Sequence, residues 1–284
     1  MSRVQFGIRL HDVKGCTLEE KIENAKCQGF CCVHLALSKV MGEIPSGDGA
    51  LTPGYAMYVR KLFERAGLDI AVLGCYLNLA HPDEKELQKI LDHYKAHIRF
   101  AALLGCGVVG TETGAPNADY RYEPACRSEE ALQGLIRNLR QVVEYAEKMG
   151  VVVAIEPVAK HIVYSPERAR RVLDEIHSPN LQVILDPVNL LDETNYPQQD
   201  TVIEEAIRLL GKDTAVIHLK DYRPEQGTIR SMAAGTGQMD YRQIMKFAQT
   251  QKPYIQATLE DTTPENAVSA RLFLEAEAEK IKKI

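Results

Sequence analysis

A chain of 284 residues, 45% apolar and 26% charged, carries enough material for a large buried core, which excludes a disordered or low-complexity protein. Its formal net charge of -5 counts against nucleic acid or an anionic membrane as the main partner, because both select for a basic face. No run of about 18 apolar residues and no charged-then-apolar leader occurs, so no membrane span is expected and the expected location is the cytoplasm.

Short β-branched runs alternate with amphipathic stretches along the whole chain. The first strand-like run, VQFGIRL from Val4, precedes the helical EEKIENAKCQGF, where Thr17 and Glu20 have the spacing of a capping box. CCVHLAL from Cys31 and LDIAVLG from Leu68 give the second and third strands, and the long helix DEKELQKILDHYKAHIRFAALLG follows. GVVGTET from Gly107 leads into SEEALQGLIRNLRQVVEYAEKMG, with Ser128 at the capping position. VVVAIEP from Val151, LQVILDP from Leu181, TAVIHLK from Thr214 and YIQATLE from Tyr254 bring the strands to eight, with DTVIEEAIRLLG between the sixth and seventh. Gly105, Gly150 and Gly211 fall where helices should stop, and a last helix runs from Pro264 towards Ile284.

Eight strands each followed by a helix imply an α/β chain folded as one (β/α)8 TIM barrel over residues 1–284. An open doubly wound sheet is disfavoured because no G-x-G-x-x-G follows the first strand; Gly235 and Gly237 form only an isolated G-T-G. The seven cysteines (16, 27, 31, 32, 75, 106 and 126) are odd in number and contain no C-x-x-C pair. They indicate neither a disulfide framework nor a thiolate zinc site, and read as reduced thiols.

In such barrels the chemistry lies at the carboxyl ends of the strands. The fifth strand ends in Glu156, the sixth in Asp186, the seventh in His218 and the eighth in Glu260. Counting back in twos, Ala154, Ile184, Val216 and Thr258 share their faces, so inward-pointing faces would bring all four side chains to one rim. Three carboxylates together repel one another, and a divalent cation is the natural compensation. Three oxygen donors and an imidazole suit Mn²⁺, Mg²⁺, Co²⁺ or Zn²⁺. Each acid taken singly could instead be a loop cap or an ion-pair partner.

At these residues the chain resembles the xylose isomerase-like TIM barrel superfamily, in its sugar phosphate isomerase/epimerase branch. The resemblance rests on AIEP around Glu156, ILDPVNLL from Ile184, IHLKDY from Ile217, GTGQMDY from Gly235 and TLED from Thr258. It implies one divalent ion, Mn²⁺ first, held by Glu156, Asp186, His218 and Glu260, with Glu156 and Glu260 as the catalytic base and acid pair. It also implies a small sugar or sugar phosphate as substrate and, by analogy, a homo-oligomer. Substrate contacts are expected from Glu112 at the end of the fourth strand, His81 and Asn78 after the third, Lys160 and His161 after Glu156, and Lys220. Two points matter: Asn189, expected to hydrogen-bond a substrate hydroxyl, stands where many members carry histidine, and the counterpart of a substrate arginine falls on Arg223 with Arg230 competing. His34 reads as a buried, hydrogen-bonded histidine, and the segment 114–127 as part of a substrate lid. The alternatives are a metal-dependent lyase or dehydratase of sugar or inositol catabolism, or a metal- or sugar-binding protein without turnover. An endonuclease IV-like activity is disfavoured by Asn189, by the lack of D-x-H after the seventh strand and by the acidic balance.

Overall fold

A computed structural model describes residues 4–40 and 47–281. Its strands are β1 (Val4–Arg9), β2 (Cys32–Leu35), β3 (Asp69–Gly74), β4 (Val108–Glu112), β5 (Val152–Glu156), β6 (Leu181–Leu185), β7 (Thr214–Leu219), β8 (Asp221–Glu225), β9 (Thr228–Met232) and β10 (Ile255–Leu259). Its helices are α1 (Leu18–Cys27), α2 (Leu37–Val40), α3 (Pro53–Ala66), α4 (Glu84–Leu104), α5 (Glu129–Met149), α6 (Pro166–Ile176), α7 (Gln199–Leu210), α8 (Arg242–Thr250) and α9 (Ala267–Ile281). The eight expected strands close into a parallel barrel in the order β1-β10-β7-β6-β5-β4-β3-β2, so the (β/α)8 TIM barrel is the fold.

Local chemistry sets the helix ends. Thr17 Oγ1 accepts the Glu20 N–H at 3.1 Å and the Glu20 carboxylate accepts the Thr17 N–H at 3.4 Å, completing the capping box of α1. Ser128 caps α5 through the Ala131 N–H at 3.1 Å. Gly105 and Gly150 end α4 and α5 in the left-handed region, where a Cβ is costly. Gly211, where α7 gives way to a short 3-10 turn, has a φ of -55° that suits any residue and is a glycine for packing instead, since a Cβ there would lie 2.9 Å from the Phe247 ring. The last helix begins at Ala267 because residues 263–266 form a turn, with Asn266 Oδ1 accepting the Thr263 N–H at 2.7 Å.

Strand alternation divides the core in two. Cys32, Ala71, Val72, Ala154, Ile184 and Val216 pack together inside the barrel, whereas Val153, Ile155, Val183, Leu185, Ile217 and Leu219 join the larger core between strands and helices. Glu156, Asp186 and His218 each lie two residues beyond an inward residue, so the pleat delivers them to the barrel mouth.

A feature the local pattern did not announce is the β8–β9 hairpin. Gln226 and Gly227 both have positive φ, 48° and 78°, the two-residue turn that matches strand twist. The hairpin continues directly from β7 and stands at the mouth beside the strand ends. Among the described residues no helix is long and apolar enough to cross a membrane.

Candidate metal centre

Ligand atoms of Glu156, Asp186, His218 and Glu260 all lie within 4.8 Å of one another, and all four side chains are buried. His218 Nδ1 faces Glu156 Oε1 at 3.1 Å and Glu260 Oε1 at 3.2 Å. Such spacing is that of neighbouring donors around an ion at about 2.1 Å, where adjacent ligand atoms sit roughly 3 Å apart. Asp186 Oδ1 is held by the N–H groups of Val188 at 2.8 Å and Asn189 at 3.1 Å. Its Oδ2 is buried without a hydrogen bond, a lone-pair donor with only the Lys220 ammonium beside it at 3.0 Å. Residue types, spacing and this orphaned oxygen therefore fit a divalent cation.

Lys220 Nζ also sits 2.9 Å from Glu260 Oε2, so a buried ammonium bridges two of the three acids. It pairs with neither Asp221 nor Asp240. Asp221 accepts backbone N–H groups of Tyr222, Gly235 and Met239, and Asp240 pairs with Arg242. Burial would lower the Lys220 pKa, but Asp186, Glu260 and Glu156 outweigh it and hold it well above the usual lysine range. Burial would likewise lower His218, yet Glu156 and Glu260 raise it to about 9. Asp186 is pushed up to about 6 by burial, against Lys220. Glu260, despite burial, is held well below the carboxylate range by Lys220, His218 and Arg9. Lys220 and His218 thus stand as the basic groups among the three acids.

Around this centre Asn189 Nδ2 donates to Glu156 Oε1 at 2.7 Å, so the residue standing in the histidine position orients an acid. Glu112 pairs in register with Glu156. It accepts from Tyr120 at 3.2 Å and lies 3.9 Å from His161 Nδ1, and burial raises its pKa. Tyr120, in the 114–127 segment, stacks on His161 with ring centres 5.2 Å apart, which places that segment over Glu112. Lys160 and Asn189 share a cleft of ≈ 140 Å³ with Val158, Asp192 and, from the hairpin, Ile229 and Ser231.

Three expected contacts fall elsewhere. Arg223 lies on the exposed side of the hairpin, opposite Arg230, and its guanidinium donates to the Thr236 carbonyl at 2.8 Å, because the chain turns into β8 immediately after Lys220. His81 Nδ1 accepts the Asp83 N–H at 3.1 Å at the start of α4. Asn78 is spent on the loop, bonding the backbone of Ala80, Ala115 and Asn117.

Sequence reasoning missed two neighbours of the centre, Arg9 and Tyr76, and part of the setting of a third, His34. Arg9 ends β1 and lies 3.8 Å from Glu260, 3.0 Å from Asp261 and 2.9 Å from Asp12. The rule that found the acids, a polar residue closing an apolar strand, would have found it. His34 is buried and hydrogen-bonded as read, but it also stacks on His218 at 5.2 Å, and its Nε2 lies 3.2 Å from the Tyr76 hydroxyl. Gly74 makes room for this pair, since a Cβ there would lie 2.5 Å from His34 Nε2. Nothing local in the sequence marks Tyr76.

The model of the xylose isomerase-like TIM barrel family matches residues 24–277. No curated protein matches the chain. Among solved structures, a D-tagatose 3-epimerase-like protein is similar over 98% of each chain, with a TM-score of 0.75 and 18% identity. The 3-keto-D-glucoside 4-epimerase of E. coli is similar over 97% of this chain and 100% of its own, with a TM-score of 0.72 and 16% identity. The IOLI protein with a binding zinc atom is similar over 98% of this chain and 95% of its own, with a TM-score of 0.71 and 17% identity. At these identities the likeness concerns the fold.

Proposed function

The chain belongs to the xylose isomerase-like TIM barrel family, and from that premise we propose that it is a divalent-metal-dependent isomerase or epimerase of a sugar or sugar derivative. The observation that carries this reading is the convergence of three acids and one imidazole nitrogen at the barrel mouth, with Asp186 Oδ2 buried, accepting no hydrogen bond and faced by the Lys220 ammonium. Glu156, Asp186, His218 and Glu260 would hold the ion, with Mn²⁺ the first choice. Bound there, it would supply positive charge to offset the negative charge that grows on substrate oxygens as an adjacent C–H loses its proton.

The remaining work belongs to the chain. Glu156 and Glu260 both flank His218, at 3.1 and 3.2 Å, from strands separated by β6 and β7 in the barrel order. One takes the proton from carbon and the other returns it. Return to the opposite face gives an epimer; return to the neighbouring carbon interconverts aldose and ketose. Asn189 holds Glu156 in place, and Lys160 offers a cation in the adjoining cleft for a hydroxyl or phosphate. Neighbours named for sugar epimerisation and for a bound zinc support the reading.

The test uses chelator-stripped protein restored separately with Mn²⁺, Mg²⁺, Co²⁺ or Zn²⁺ and incubated in deuterated water with ketoses, aldoses and their phosphates. Metal-dependent deuterium at one carbon, read by NMR and lost in Glu260→Gln, is expected. Loss of water from a sugar derivative without exchange would instead favour a dehydratase, and no reaction with any member of the panel would remove the enzymatic reading.

A further inference from the structure

On the outer side of the same barrel end lies a second group of potential ligands that shares no residue with the first. Cys75 follows β3, and its position opposite Tyr76 in the alternation turns its thiol away from the mouth and towards α4. His93 and His97 lie one turn apart on α4, with ring centres 4.3 Å apart. The Cys75 sulfur and one ring nitrogen of each histidine lie within 4.8 Å of one another.

The tautomers of both rings are fixed by what their other nitrogens touch. His97 Nδ1 lies 3.1 Å from the His93 carbonyl, which can only accept, so this nitrogen carries the hydrogen. His93 Nδ1 is bonded to the Asp48 carboxylate. In each ring Nε2 is left as the lone-pair donor, and each is oriented by an oxygen behind it, as metal-bound histidines are. Cys75 and His97 are buried, while His93 keeps a quarter of its side chain exposed, which provides an entry path.

We propose that Cys75, His93 and His97 form a second cation site, for a borderline-soft ion of the Zn²⁺ kind, with Asp48 as the positioning residue of His93. One thiolate and two imidazoles suit such an ion, and a fourth position is left for water. Cys75 loses its proton to solvent as the sulfur–metal bond forms. The bound ion ties α4 and the segment carrying Asp48 to the end of β3, immediately beside Tyr76 and hence beside His34.

Co²⁺ added to the chelator-stripped full chain distinguishes the two sites, because only this one contains sulfur. A thiolate-to-cobalt charge-transfer band in the near ultraviolet is expected. It should survive Glu156→Gln/Asp186→Asn, which removes the other site, and disappear in Cys75→Ser and in His93→Gln. Asp48→Asn should keep the band with affinity about 10–100-fold weaker. If Cys75→Ser fails to fold, His93→Gln, at the partly exposed position, decides. A saturated parent without the band, or a band that persists in His93→Gln, would overturn the proposal.

Discussion

Replacing Lys220 by methionine keeps the buried stem and removes the ammonium that stands 2.9 Å from Glu260 and 3.0 Å from Asp186. Three acids then remain at the mouth, with only His218 and Arg9 as positive neighbours among the described contacts. Taking one partner from a buried ion pair costs about 3–5 kcal/mol, because the other charge stays buried without compensation. For a chain of this size that is a fall in Tm on the order of 5–10 °C. The expectation applies to chelator-treated protein. Saturating Mn²⁺ supplies positive charge to the same carboxylates, so the deficit should shrink to about 1–2 kcal/mol. Urea unfolding of parent and variant, each with chelator and with Mn²⁺, measures all four values. An equal deficit with and without metal would refute the idea that lysine and cation compensate the same charges. No deficit in chelator would show that the ion pairs contribute nothing net.

Two further outcomes follow from the surroundings of the centre. Asn189→Ala removes the 2.7 Å hydrogen bond to Glu156 and should weaken metal binding about 10–100-fold in competition with a chelating dye; unchanged affinity would reduce Asn189 to a cleft residue. His161 has its pKa lowered from 6.5 to about 4, by burial, with Glu156 opposing. The unfolded chain therefore binds its proton first, and the stability this neutral ring contributes is present above pH 6.5 and lost as pH falls towards 4. Glu112 and the Tyr120 ring face it across the segment 114–127. Between pH 7 and pH 5 the metal-free parent should lose up to about 2 kcal/mol more than His161→Asn, read by urea unfolding at each pH; parallel losses would contradict the assignment.

Much of the barrel is legible in the sequence because strand and helix signals are local. An apolar run closed by one polar residue marks each ligand-bearing strand, and the period of two states which residues share its face, as Ala154 with Glu156 and Val216 with His218 show. Caps such as Thr17 and Ser128 are equally local. Arg223, matched to the substrate arginine by its distance along the chain from His218, lies on a hairpin that Gln226 and Gly227 turn back, a long-range arrangement that such spacing does not contain.

By itself, then, the sequence determined the eight barrel strands, the residue closing each of those that bear the three acids and the imidazole, and the face each occupies, since these depend on neighbours a few positions away. Only the tertiary structure decided which strand ends meet. Closure of β1 against β10 brings Arg9 to Asp261, 252 residues along the chain. The packing of α4 beside the segment that follows β3 brings His93 and His97 to Cys75, and closure of the barrel sets Lys220 between Asp186 and Glu260. Contacts of that range depend on the burial of the whole chain around one barrel, and no spacing along the sequence encodes them.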